Sequence, residues 1–343
     1  MKHLTKLIGA IHFLVLAFLM TLSSPVAAQD YGKGVAAYKA GDYATAFKEW
    51  KPLAEAGNMD LQYILGRLYR LGQGIPQDND KAVEWYKLAA KQGQIQAQHN
   101  LGYMYENSLG VSQDYNKALK WYKLAADQGM SDSQFSIGSL YDRGLGLDKD
   151  HKLSFMWFLL AAEQGNMKAQ HNVANSYYHG QGVTKDRKKA FKWYKLAAEQ
   201  GNIKAQFNLA NSYYHGQGVP TDLKKAVRWW RLAAEQGLPE SQHSLGYYYM
   251  MGAGVDVDFY EAAKWYKLAA KQGFRSSQGN LGLLHLKGLG VSQDNLLAHM
   301  WSNLGGNPVN RDKAAKKMTP ADISKAQAMA RECMSSGYTK CGY

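Results

Sequence analysis

Cysteine is almost missing from this chain. Of 343 residues only Cys333 and Cys341 carry a thiol, both near the C-terminus. That excludes a thiolate metal set, and the spacing is not the C-x-x-C of a redox centre. Long apolar runs are absent beyond the first residues, so no later segment is expected to span a membrane. Acidic residues are outnumbered: 28 against 41 Lys and Arg, a formal charge of +13. Such an excess can signal an acidic partner, a nucleic acid or an anionic surface. Here much of it is Lys at one recurring slot, Lys87, Lys123, Lys195 and Lys267 with Arg231 as the equivalent. A charge repeated once per unit marks a solvated helix face.

The N-terminus holds the one long apolar run. Lys2 and Lys6 give a basic start, Leu7 to Leu22 is largely apolar, and Val26-Ala27-Ala28 offers small residues before Gln29. This layout predicts a cleavable secretory signal over 1–28 rather than a membrane anchor. No cysteine lies near that point, so a lipid-anchor signal is not supported. The expected mature protein is soluble, and periplasmic or secreted. Export also argues against a nucleic-acid partner. In an exported chain Cys333 and Cys341 are readily oxidised. A bridge between them would close a loop worth about 2–3 kcal/mol in the chain-entropy model and pin the tail.

Tryptophan supplies the organising pattern. Trp85, Trp121, Trp157, Trp193, Trp229, Trp265 and Trp301 stand 36 residues apart, Trp50 precedes the series and Trp230 doubles one rung. A fixed period without insertions means a stack of like units, not one globular core. In residues 94–129 the first half places Ala97, Leu101, Gly102 and Tyr105 on one helical face. The second half does the same with Ala118, Trp121, Tyr122, Leu124, Ala125 and Ala126. Each unit therefore reads as two helices.

Other positions repeat in step. Gln62, Gln98, Gln134, Gln170, Gln206, Gln242 and Gln278 open the first helix. Four residues later comes Gly66, Gly102, Gly138, Ala174, Ala210, Gly246 or Gly282, small enough for two helix axes to approach closely. Tyrosine follows at Tyr69, Tyr105, Tyr141, Tyr177, Tyr213 and Tyr249, with His285 as the departure. A G-x-G turn plus an aliphatic residue separates the helices, Ser108 replacing the first glycine in one unit. No strand precedes this turn and no Lys-Ser/Thr follows, so it is a tight joint and not a phosphate loop. Asp78, Asp114, Asp150, Asp186, Asp222, Asp258 and Asp294 are the expected N-caps of the second helices. Gly57, Gly93, Gly129, Gly165, Gly201, Gly237 and Gly273 are the expected C′ residues. Pro76 and Pro220 fall in turns and Pro239 at a helix start, while Pro52 predicts a kink in a terminal cap.

The pattern resembles the Sel1-like repeat, a relative of the tetratricopeptide repeat. The matching residues are Ala97-Gln98, Leu101-Gly102, Tyr105, Gly110-Val111, Asp114, Lys117-Ala118, Trp121-Tyr122, Ala125-Ala126 and Gln128-Gly129. The resemblance implies an all-α fold, a right-handed α-solenoid of antiparallel helix pairs with 36-residue repeats. Seven repeats are expected over 58–309. Residues 29–57 form an N-terminal cap in which 41–57 looks like a lone second helix, and 310–343 a C-terminal capping helix and tail. One branch of the family carries a disulfide in every repeat, and this chain lacks those cysteines. Members of the family mostly act as adaptors for proteins or peptides.

The resemblance also places first helices along the concave wall of the stack. Positions flanking their buried stripe are the candidate peptide-binding groove: Tyr63, His99, Tyr103, Phe135, His171, Asn175, Phe207, Asn211, His243 and Tyr247. Flat rings give contact area at low entropic cost, and Asn amides can hold an extended backbone. The competing reading of these side chains is packing between helices. No nucleophile elbow, metal set or acid/base pair stands outside the repeat register, so no catalytic residue, metal or cofactor is expected. The leading expectation is a non-enzymatic adaptor or regulator in the bacterial envelope that binds a protein or peptide. The alternative is an envelope-structure protein holding cell-wall glycan or anionic polymer on its basic, aromatic surface. A hydrolase with a site assembled across repeats is a remote third.

Overall fold

The computed structural model describes residues 25–341, with side chains from 30 onward. The expected signal segment therefore lies largely outside the described residues. Among these residues there are 18 α-helices and no strand. They fall into two compact units, one ending at Gln164 and one starting at Gly165. The first holds α1 (Pro25–Lys39), α2 (Tyr43–Glu55), α3 (Met59–Leu71), α4 (Asn79–Lys91), α5 (Ile95–Asn107), α6 (Tyr115–Asp127), α7 (Ser131–Arg143) and α8 (His151–Glu163). The second holds α9 (Met167–His179), α10 (Arg187–Glu199), α11 (Ile203–His215), α12 (Leu223–Glu235), α13 (Pro239–Met251), α14 (Phe259–Ala270), α15 (Arg275–Lys287), α16 (Asn295–Leu304), α17 (Pro308–Ala315) and α18 (Pro320–Ser335). Within each unit consecutive helices pack on one another as a helical-repeat solenoid.

The caps form where the sequence places them. Each of the seven aspartates accepts a hydrogen bond from the backbone N–H three residues on, as Asp78 does from Lys81 at 3.0 Å and Asp114 from Lys117 at 2.9 Å. First helices end in the left-handed region, mostly on glycine but on Ser108 at φ 57° in α5. The second glycine of the turn answers to space as well as to φ. A Cβ on Gly110 would sit 2.3 Å from the carbonyl oxygen of Asn79, so the turn backbone rests directly on the start of the preceding second helix.

The repeated glutamine turns out to be a relay. Gln98 Nε2 donates to the Ala90 carbonyl at 3.1 Å, and its Oε1 accepts from Gln128 Nε2 at 2.8 Å. One buried amide thus ties the end of the preceding second helix to the end of its own partner helix. The same bonds recur at Gln62, Gln134, Gln206 and Gln242. The relay stops at Gln278, where the position that would hold the next glutamine is Pro308 and Oε1 has no partner among the described residues.

The core lies one residue away from the tryptophan ladder. Trp85, Trp121, Trp157, Trp193 and Trp229 are only half-buried, and Leu124, expected on the same buried face, is exposed. The following residue is the one that is enclosed: Tyr86, Tyr122, Phe158, Tyr194, Trp230 and Tyr266. The reason is the small residue of the first helix. A Cβ on Gly66, Gly102, Gly138 or Gly246 would come within 2.6–2.7 Å of the ring of Tyr86, Tyr122, Phe158 or Tyr266. Each bare glycine is the floor on which that ring lies. Trp265 and Trp301 are buried, so the ladder enters the core only near its end.

Both ends depart from expectation. Tyr43–Glu55 is not a lone helix, because α1 packs on it as a first helix. Tyr31 and Tyr38 stand 6.4 and 5.5 Å from the Trp50 ring, and Trp50 Nε1 donates to the Tyr31 carbonyl at 3.2 Å. Pro52 lies inside α2, which continues through it to Glu55. At the other end the expected single capping helix is two, because Thr319 starts α18 with a capping box of its own and Pro320 follows at its first turn. A disulfide joins Cys333 of α18 to Cys341, and Tyr338 between them packs on the C-terminal end of α14.

Candidate binding surface

The candidate groove residues separate into two classes. Tyr63, His99, Phe135, His171, Phe207 and His243 are half-buried. Each ring lies beside the core aromatic of its own helix pair. Tyr63 is 6.1 Å from Tyr86, His99 5.3 Å from Tyr122, Phe135 5.5 Å from Phe158, His171 6.0 Å from Tyr194 and His243 5.5 Å from Tyr266. Phe207 packs into the cluster around Trp230. At Gly279 the ring disappears, and its counterpart on the second helix becomes Ser302. The two sides vary together because they form one layer of the scaffold.

The histidines in that layer are held at their ring nitrogens. His99 and His243 each meet a serine hydroxyl of the next first helix through Nδ1 at 2.9 Å, Ser133 and Ser277 respectively. His171 has alanine at that place, and its Nε2 instead lies 3.3 Å from Asn208 Nδ2 and 3.5 Å from Asn175 Nδ2. Burial pushes all three imidazoles below the ordinary histidine value. Phe207 faces Ser241 with nothing to offer, and that hydroxyl has no partner among the described residues.

The outer positions are the accessible ones. Tyr103 is 43% exposed and Tyr247 40%. Asn175 is half-buried and accepts from Tyr194 Oη at 2.6 Å, so its carbonyl already serves the scaffold. Asn211 is also half-buried, but Trp230 replaces the tyrosine opposite it. One turn beyond Tyr247, Met251 is 56% exposed. Beneath them Trp230 and Tyr248 stack at 4.7 Å and 11°, with Tyr214 5.3 Å and Tyr247 5.3 Å from Tyr248. Tyr214, Trp230 and Tyr248 are not among the candidates read from the sequence. Their signals in the sequence are the doublet Trp229-Trp230 and the run Tyr247-Tyr248-Tyr249, both breaks from the repeat.

Charge is sorted by helix type. The recurring Lys and Arg side chains stand on second helices, while α11 and α13 carry on their outer face Asn211, His215, Tyr247 and Met251. Among the described residues no group of three His, Cys, Asp or Glu could hold a metal ion, and no helix is long and apolar enough to cross a membrane.

Stacked pairs of 13-residue helices with this capping, relay and small-residue contact define a helical-repeat scaffold protein. The family follows from comparison: the Sel1 repeat model matches residues 60–94, 95–130, 131–166, 168–202, 203–238, 239–274 and 275–305. The chain belongs to the Sel1 repeat family. It is similar to a Sel1 repeat protein from Oxalobacter formigenes, with 32% identity over 70% of this chain and 96% of that one, at a TM-score of 0.63. It is also similar to a protective antigen of uropathogenic Escherichia coli that displays the same fold, with 29% identity over 91% of this chain and 85% of the other, at 0.47. An immunity protein from Pseudomonas aeruginosa shares 20% identity over 75% of this chain and 82% of its own, at 0.36. Comparison with curated proteins finds no match.

Proposed function

We propose that this chain is a non-enzymatic adaptor of the bacterial envelope that binds a protein or peptide on its first-helix face. The surface is centred on α11 and α13. The observation that carries this is the exposed pair Tyr247 and Met251 seated on the Tyr214–Trp230–Tyr248 cluster. Large exposed apolar side chains over a rigid aromatic base are how interface hot spots are built. The signal-like start and the disulfide support an oxidising compartment.

The test is capture by crosslinking in native envelopes, read by mass spectrometry. Tyr247→Ala with Met251→Ala should lose the captured partner while far-UV circular dichroism stays unchanged. Capture should survive raised salt, because apolar anchoring is not screened. If capture persists in that variant but collapses with salt, or with Lys123→Gln and Lys195→Gln, the polymer-binding alternative on the basic second-helix face replaces this reading.

A further inference from the structure

Six repeats complete their own packing with a tyrosine that the seventh lacks. Late in each first helix Tyr69, Tyr105, Tyr141, Tyr177, Tyr213 or Tyr249 stands where that helix meets the preceding second helix. Phe47 packs edge-on against Tyr69 at 5.4 Å, and Phe191 against Tyr213 at 5.3 Å. A cation lies over several of these rings: Lys81 over Tyr69 at 5.6 Å, Lys117 over Tyr105 at 5.5 Å and Lys225 over Tyr213 at 5.5 Å.

At the joint of α14 and α15 three of these parts change together. His285 takes the tyrosine slot, Ala263 the slot of Phe47 and Phe191, and Leu297 the slot of Lys81 and Lys117. Both facing side chains shrink. A cavity of about 400 Å³ opens there, within the usual range of about 300–1,000 Å³ for small-ligand sites. Ala263, Leu268, Leu281 and Val291 give it apolar walls, and the buried His285 lines it too. The lysines of α14 that border it, Lys264, Lys267 and Lys271, have partners already; Lys264 bonds Glu261 at 2.8 Å.

His285 supplies the polar contact. It is only 6% exposed, and its Nδ1 lies 3.4 Å from the Ser292 carbonyl oxygen. A carbonyl only accepts, so Nδ1 carries the ring proton and Nε2 is left as an acceptor. Among the described residues no donor meets Nε2. Burial pushes the imidazole below the ordinary histidine value and so keeps that acceptor unprotonated. A buried acceptor without a donor carries a cost that a ligand hydroxyl removes.

We propose that this cavity binds a phenol ring supplied from outside the repeat, the ring lying on Ala263, Leu281 and Val291 in place of the missing tyrosine and its hydroxyl donating to His285 Nε2. The joint is one that a tyrosine fills in six other repeats, so a phenol has the right breadth for it. The hydroxyl matches the open acceptor. The site lies between α14 and α15 and does not depend on the α11 and α13 surface proposed above.

Two sources supply such a ring: a free alkylphenol and the tyrosine side chain of a peptide. Isothermal titration of the full chain uses 4-ethylphenol, its counterpart ethylbenzene, and the blocked peptides Ala-Tyr-Ala and Ala-Phe-Ala. 4-Ethylphenol or the tyrosine peptide should bind, and the tighter of the two names the source. Ethylbenzene and the phenylalanine peptide should bind at least tenfold more weakly, because each leaves Nε2 without a donor. His285→Tyr restores the residue of the six other repeats and should abolish binding with helicity intact. Ala263→Val, which copies Val83 and Val227 at the same slot, narrows the cavity less and should weaken binding at least threefold. Equal binding by His285→Tyr and the unaltered chain overturns the site. If His285→Tyr loses helicity, Ala263→Val decides in its place, and unchanged affinity there overturns the site. Equal binding of 4-ethylphenol and ethylbenzene overturns the hydroxyl recognition, and no binding by any probe overturns both.

Discussion

Phe158 and Trp157 are neighbours on α8 with opposite expected costs of truncation. Phe158 is 4% exposed, its ring 5.5 Å from Phe135 and resting on Gly138, where a Cβ would be only 2.7 Å from the ring. Gly138 has no side chain that can swing into the space, so Phe158→Ala leaves an enclosed void. That places it in the upper part of the range for such truncations, about 4–5 kcal/mol. Trp157 is larger but half-buried. Water can reach the face it vacates, and we expect about 1–2 kcal/mol for Trp157→Ala, near half of a full large-to-small loss. Urea unfolding followed by circular dichroism compares the two. Because repeats stabilise one another through their nearest neighbours, amide exchange should rise in α7 and α8 while α2 keeps its protection. A Trp157→Ala cost equal to or above that of Phe158→Ala would refute the assignment of the core to the second aromatic of each pair.

Ser241→Ala should raise stability by about 1 kcal/mol, because its buried hydroxyl faces Phe207 without a partner among the described residues. The same change at Ser277 removes the 2.9 Å contact with His243 and should cost about 1 kcal/mol; equal effects in urea titration would defeat the distinction. Acid should weaken the fold from near pH 6.5 downward. His99, His171 and His243 have folded-state values below the unfolded 6.5, chiefly through burial, so the unfolded chain binds more protons there. Their contribution is complete above pH 6.5 and is lost as pH falls through the folded values. The Asp78, Asp114 and Asp222 caps are lost in a separate window, below the ordinary carboxylate value of 3.8. His171→Phe, which copies Phe207 at the same slot, should make the urea midpoint less dependent on pH between about 7.5 and 5.5, and an unchanged slope counts against the burial argument.

The helices and their caps were legible because each carries a local signature that the repeat states seven times. An aspartate before a helical run and a glycine after it act through backbone geometry a few residues away. The phase of the core was not legible in the same way. Trp121 and Tyr122 are adjacent, about 100° apart on one helix, and a period of 3.6 does not decide which of two neighbouring aromatics faces inward. What decides is Gly102 on another helix. The N-terminal pair was misjudged for a related reason. α1 does carry Gln29 and Gly34, and Gly34 lies under the Trp50 ring as Gly66 lies under Tyr86. They are five residues apart, however, and not the four of the other first helices, and the start of α1 at Pro25 overlaps residues that read as the end of a signal.

The candidate surface shows the harder limit. A slot that reads Tyr, His, Phe, His, Phe, His along the chain looks like a recognition rung, since it varies while the scaffold does not. In the structure it varies within one constraint, a flat ring against the ring of the partner helix, and where that partner is Ser302 the slot becomes Gly279. Variation at one slot is thus absorbed by its neighbour and leaves no space. Departures that coincide behave differently. Ala263, His285 and Leu297 are distant in sequence and unremarkable one at a time, and only the repeat register brings them to one joint. None of the three supplies bulk for the others, so a cavity of about 400 Å³ stays open at that joint. In a repeat scaffold a site is to be sought where several slots fail together at one joint, because only there does the packing leave room for something else.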